Sequence, residues 1–170
     1  DFSLFMALSQ EQKNFEWNRW PAELRNRKAA ALKSARKRLR ERIELETFIQ
    51  YVFRRQYSQL KYACEHNGIQ VVGDIPIYVA RNSADVWAHP RIFKLDRDKK
   101  PRCVAGVPPD YFSETGQLWG NPVYDWKRLA KTDFAWWMER VRHNLKIFDF
   151  VRIDHFRGLV AYWEVPAGDK

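Results

Sequence analysis

Cysteine is scarce in this sequence: only Cys64 and Cys103 occur in 170 residues. Two thiols cannot build a disulfide scaffold or a four-cysteine zinc site. Long apolar runs are missing too. None approaches the roughly 20 residues of a membrane-crossing helix, so no helical span is expected. The opening DFSLFMALSQ lacks the basic segment and apolar core of a secretory signal. The four histidines, His66, His89, His143 and His155, are scattered without ligand spacing, so no metal and no cofactor is expected. No internal repeat and no low-complexity stretch is present. The first residue is Asp1 rather than Met, which suggests a piece of a longer polypeptide.

What is present is a globular composition, 45% hydrophobic and 30% charged, which excludes wholesale disorder. The net charge is +9, and its excess lies toward the front: residues 1–66 carry 14 basic and 8 acidic residues. The densest stretch is Arg36-Lys37-Arg38-Leu39-Arg40-Glu41-Arg42. It reads either as a phosphate-tracking helix or as a solvated face with helical ion pairs to Glu41, Glu44 and Glu46. No zinc-finger, RRM-like or KH-like signature accompanies it, so no nucleic-acid partner is expected.

Residues 1–28 are aromatic-rich (Phe2, Phe5, Phe15, Trp17, Trp20) and read as irregular, with a turn at Trp20-Pro21. From Ala29 to Asn67 apolar residues recur at three- and four-residue steps, which predicts a helix. Its length predicts a break near Leu45–Phe48, and Asn67-Gly68 is its stop. Ile69–Pro76 and Phe148–Asp154 read as two buried parallel strands, with a helix over about Thr132–Lys146 capped by Thr132 or Asp133. Residues 80–124 read as a long loop, of the kind that carries function.

Strand alternation puts Val72 and Asp74 on one face, and Phe150, Arg152 and Asp154 on one face of the second strand. Each strand therefore ends in a carboxylate opposite a largely aliphatic face, as a parallel α/β barrel enzyme needs at its active-site rim. A carboxylate beside a cation suits nucleophilic attack on an anomeric carbon. The alternative is that Arg152 and Asp154 are an ion pair that only closes the strand end.

Three segments extend this. They are Gly73-Asp74-Ile75-Pro76-Ile77-Tyr78-Val79 with Ser83-Ala84-Asp85-Val86-Trp87, Ala105 through Pro122 (AGVPPDYFSETGQLWGNP), and Val151-Arg152-Ile153-Asp154-His155-Phe156-Arg157-Gly158. In order and spacing they resemble the 4-α-glucanotransferase family, glycoside hydrolase family 77. Trp20-Pro21-x-x-Leu24-Arg25 is similar to it as well. The resemblance implies a fold class of α/β, part of a (β/α)8 TIM-type barrel with a long active-site loop insertion. It also implies transfer of α-1,4-glucan segments between maltooligosaccharides with retention. Residues 1–170 would be a partial catalytic barrel domain holding about strands three and four. Asp154 matches the family's nucleophile, Arg152 the arginine that orients it, and Asp74 the aspartate that shapes the sugar site. His155, Asp110, Tyr111, Gln117, Trp119 and Asn121 are the implied substrate-binding residues, although Trp119 also fits the role of a core anchor. Asn82 departs from the family, where an acid is more usual.

The family's general acid lies after the following strand and is not expected within this chain. Glu164 is not taken for it, because Tyr162-Trp163-Glu164 matches a segment that precedes the acid. Free cysteines and no signal suggest a bacterial cytoplasm or plastid stroma. The alternatives are an α-glucan hydrolase of the same clan, a non-catalytic glucan-binding remnant, and a basic nucleic-acid-binding module.

Overall fold

The computed structural model describes residues 1–111 and 113–169; Phe112 and Lys170 lie outside the described residues. The chain divides into two compact units, Asp1–Ile69 with Asn82–Ala88, and Gln70–Arg81 with His89–Lys170.

The first unit is helical: α1 (Phe2–Glu11), α2 (Ala22–Arg25), α3 (Ala29–Arg38), α4 (Arg40–His66) and α5 (Ala84–Ala88). Residues 1–28 are thus more ordered than their composition suggested. Leu4, Phe5, Ala7 and Leu8 turn one face of α1 inward, each large side chain contributing about 1.5–3 kcal/mol when buried. Phe5, Trp20 and Trp87 meet with ring centroids 5.4–5.9 Å apart. The Trp87 indole N–H, fully buried, donates to the Leu24 carbonyl at 3.0 Å. That satisfies the one polar atom its burial would otherwise strand.

The long helix breaks at Leu39, not near Leu45–Phe48. Leu39 leaves helical geometry (φ −103°, ψ 21°) and is buried, as is Ala35 one turn earlier. Periodicity carried no sign of this, because burial of Leu39 is a tertiary event. The helix stops where expected: Asn67 caps α4, and Gly68 takes the left-handed φ of +67° that glycine tolerates. Three arginines of the basic stretch are ion-paired. Arg38 forks onto Glu11 (2.7 and 2.9 Å), Arg40 meets Glu44 at 2.6 Å, and Arg36 lies 3.7 Å from Asp1. This favours the solvated-face reading.

The second unit holds two sheets. In one, β1 (Val72–Ile75) runs parallel to β4 (Phe150–Ile153), with Asp74 level with Arg152. The other has the antiparallel order β3-β2-β5, from β2 (Cys103–Val107), β3 (Gln117–Pro122) and β5 (Trp163–Pro166). The span read as loop therefore contains a helix and a β-hairpin, whose pairings lie too far apart in sequence for local propensity to reveal. Two short helices, α6 (Trp126–Ala130) and α7 (Ala135–Leu145), precede β4. Asp125 caps α6, accepting from the Arg128 N–H at 3.2 Å. Neither Thr132 nor Asp133 caps α7; Phe134 does so in a left-handed conformation, without a side-chain bond.

One face of each parallel strand is covered and the other open. Gly73 and Ile75 are buried and Val151 and Ile153 half-buried, while Val72, Asp74, Phe150 and Arg152 are exposed. The alternation is as expected; burial on both faces is not. The segment after β1 is clamped by aromatic residues. The buried Tyr124 hydroxyl donates to the Ile77 carbonyl at 2.9 Å, and Arg140 donates to the Pro76 carbonyl at 2.7 Å while lying over Trp137.

Candidate active site

The β1–β4 ladder continues one residue past the strand: the Asp154 N–H donates to the Ile75 carbonyl at 2.9 Å. The carboxylate of Asp154 is therefore set at the strand end by backbone bonds. Beside it, Arg152 bridges two acids. Its guanidinium is bidentate to Asp74 (Nε 3.0 Å, Nη2 2.8 Å) and makes a single bond to Asp154 at 3.2 Å. The expected pairing of Arg152 with Asp154 is thus present but is the lesser one. Register explains why: Asp74 is level with Arg152 on the neighbouring strand, where a planar fork meets a carboxylate best. Hydrogen bonding by Arg152 holds the Asp74 carboxyl below its usual range.

His155 follows in the left-handed region, φ 50°. That backbone turn, uncommon for a residue with a Cβ, swings its ring against Trp119, with centroids 5.0 Å apart edge to face. The Trp119 N–H donates to the Gln117 side-chain oxygen at 2.9 Å, and its ring also meets Tyr78. Asn121 donates to the Val79 carbonyl at 3.0 Å. Together Tyr78, Trp119, Asn121, Asp154 and His155 close a cleft of about 150 Å³ over Pro76 and Ile77. Four of the implied residues thus meet in one place. Trp119 is half-buried and lines that cleft, so the anchor and contact readings are not exclusive.

Gln117, Asp110 and Tyr111 do not line that cleft. Gln117 is exposed and engaged with Trp119. Asp110 closes a turn with Ser113, its N–H donating to the Ser113 carbonyl and its side chain accepting the Ser113 N–H, both at 2.9 Å. Tyr111, at the tip of this turn, is 98% exposed and lines neither cleft.

A second cleft of about 390 Å³ shares His155 with the first and is lined as well by Asp110, Arg157, Tyr162 and Trp163. Sequence reasoning passed over the last three; the aromatic pair soon after the Asp154 motif was the available signal. Beneath them, Glu164 takes a short ion pair from Lys94 and a hydrogen bond from the Cys103 thiol at 3.4 Å. Burial opposes ionisation of Glu164, but hydrogen bonds from Lys94, Tyr162 and Cys103 outweigh it and hold the carboxyl below its usual range. A carboxylate so held is poorly suited to donate a proton at neutral pH. Burial, then the bond to Glu164, push the Cys103 thiol up to about 11, away from reactivity. No cluster of three or more metal-ligating side chains exists among the described residues.

The family model for glycoside hydrolase family 77, described as 4-alpha-glucanotransferase, matches residues 1–170. A 4-alpha-glucanotransferase of Aquifex aeolicus is 52% identical over 170 residues, covering 100% of this chain and 35% of that protein. The chloroplastic/amyloplastic 4-alpha-glucanotransferase of Solanum tuberosum is 43% identical, covering 100% and 30%. Among solved structures, the amylomaltase of Streptococcus agalactiae in complex with acarbose superposes with a TM-score of 0.94 at 42% identity, covering 99% of this chain and 34% of that one. The chain spans about a third of the length of these relatives.

Proposed function

The chain belongs to the 4-alpha-glucanotransferase family, and from that membership we propose that it carries the nucleophile side of an active site transferring α-1,4-glucan segments between maltooligosaccharides or starch-type glucans. The observation that carries this is the strand-end carboxylate: Asp154 is fixed by its backbone, tethered by Arg152 and walled by His155 and Trp119.

Asp154 attacks the anomeric carbon of the donor. A bond forms between its carboxylate oxygen and that carbon as the bond to the glycosidic oxygen breaks. The departing glucan takes a proton from a general acid outside this chain. A 4-hydroxyl of an acceptor glucan then attacks the same carbon from the opposite side, its proton returns to the group that acted as acid, and the bond to Asp154 breaks to restore the carboxylate. Two inversions give retention. Arg152, braced on Asp74, keeps the attacking oxygen from rotating away. Trp119 and His155 offer ring edges and faces to the sugar, and their bulk excludes water so that the acceptor hydroxyl reacts first.

The parallel pair β1 and β4 fits two neighbouring strands of a (β/α)8 barrel. The face bearing Asp74 and Arg152 also exposes Val72 and Phe150, as strands looking into a barrel interior do. Two strands cannot close such a barrel, so the reading includes a longer polypeptide. The Solanum relative's plastid address and the bacterial origin of the others support a plastid stroma or bacterial cytoplasm.

The test is a trapping experiment on the full-length protein with a fluorinated glucosyl donor. Mass spectrometry is expected to find the label on Asp154, and Asp154→Asn is expected to lose both label and turnover while retaining glucan binding. A label on another residue overturns the reading.

A further inference from the structure

Resting on the reading above, we propose that Arg140 is a positioning residue for the reaction. With Tyr124 it fixes the backbone that follows β1, and through that backbone the carboxylate of Asp154. The sequence explains why this stretch needs holding. Pro76 has no N–H and cannot extend the ladder beyond Ile75, the last residue of β1. The chain leaves the sheet there, but Ile77, Tyr78 and Val79 are buried, where carbonyls without partners are costly.

Side chains supply the partners. Arg140 donates through Nη2 to the Pro76 carbonyl at 2.7 Å and through Nη1 to that of Ile77 at 3.3 Å. The Tyr124 hydroxyl donates to the Ile77 carbonyl at 2.9 Å, and Asn121 to that of Val79 at 3.0 Å. Of these three side chains, Arg140 alone spans two successive peptides, a task that suits its planar fork.

The donor is itself set in place. Arg140 lies three and four residues beyond Trp137 and Trp136 on α7, so the three share a helix face. Its guanidinium sits 4.9 Å from the Trp137 ring centroid and 5.5 Å from that of Trp136, close enough for the rings to hold the cation. Tyr124 is fully buried and stacked on Phe93 and Tyr78, at 5.1 and 5.9 Å.

Two contacts carry this hold to the reacting group. Ile75, next to Pro76, accepts the Asp154 N–H at 2.9 Å. Ile77 packs against the turn after Asp154: a Cβ on Gly158 would lie 3.1 Å from both Ile77 Cγ1 and His155 Cδ2. Pro76 and Ile77 also line the Asp154 cleft. A shift in this strip therefore moves the attacking oxygen relative to the anomeric carbon, and a misplacement of about 1 Å costs on the order of a hundredfold in rate.

The experiment uses the full-length protein and a glucosyl fluoride with a second fluorine on its ring. The Asp154 oxygen bonds to the anomeric carbon as the carbon–fluorine bond breaks and fluoride leaves with the electron pair. That step makes little demand on the acid outside this chain, so it isolates the nucleophile. Mass spectrometry follows the labelled fraction and the rate constant at saturating donor. Arg140→Met, which removes both bonds, is expected to label fully, at an unchanged half-saturating concentration, with a rate constant lower by about tenfold or more. Arg140→Lys, which keeps a cationic donor without the fork, is expected to fall between the two.

A normal rate constant with a smaller labelled fraction means that Arg140 only supports the fold. A normal constant with a raised half-saturating concentration means that it only shapes donor binding. Either overturns the inference. If Arg140→Met does not fold, Tyr124→Phe decides: it deletes one hydroxyl, keeps the ring packing, and is expected to lower the same constant about threefold. An unchanged constant there overturns the inference as well. If the unsubstituted protein takes no label on Asp154, the proposed function falls; normal labelling with unmoved constants in the variants removes the role of Arg140 alone.

Discussion

At the scale of single residues, Arg152 does the most with the least burial. It lies in the open, with side-chain exposures of 64% for itself, 55% for Asp74 and 59% for Asp154. Water screens such pairs, so their value is orientation rather than stability. The lowered folded-state pKa of Asp74 sets the sign of its pH dependence. Its pairing is complete above the unfolded value near ~3.9 and lost as pH falls through the lower folded value. Carbon-13 NMR is expected to show the Asp74 carboxyl titrating below the free-aspartate range, and rising toward it in Arg152→Ala. An Asp74 titration indifferent to that substitution would remove Arg152 as the cause.

At the scale of elements, β1 shows why a strand tolerates glycine. A Cβ at Gly73 would fall 2.0 Å from Cδ2 of Phe148, the ring that covers this face of the sheet. Gly73→Ala must therefore displace that ring, an overpacking change that costs about 1–3 kcal/mol. Urea unfolding is expected to show a lower midpoint at unchanged slope. No shift would mean that the Phe148 ring swings aside freely. The helical half offers a contrast. Burial of Leu39 ends α3 and starts α4 a residue later, and the local pattern around Leu45 and Phe48 continues as helix because nothing pulls those side chains inward.

At the scale of the whole molecule, the open apolar residues matter. Val72 and Phe150 face outward on β1 and β4, and Leu45, Phe48, Ile49 and Phe53 do so on α4. Retaining chemistry needs a second carboxyl about 5–5.5 Å from the first. Among the described residues Asp154 is the only carboxylate lining its cleft, while Asp74 is committed to Arg152 and Glu164 to Lys94. The 170-residue chain by itself is therefore expected to release no glucose from maltotriose, measured by enzyme-coupled glucose detection. Turnover above background would mean that one of these acids serves as proton donor here.

The sequence alone determined what a short stretch of backbone can determine. A two-residue period placed Arg152 and Asp154 on one strand face and Asp74 beside Val72. The stop at Asn67-Gly68 and the unbroken motif from Val151 to Gly158 were legible for the same local reason. Tertiary structure decided the rest: the register that sets Asp74 opposite Arg152, the hairpin hidden in residues 103–122, and the meeting of His155 with Trp119 and Trp163 around two clefts. Those depend on which distant segments pair, and pairing energy comes from contacts that no window of neighbouring residues contains.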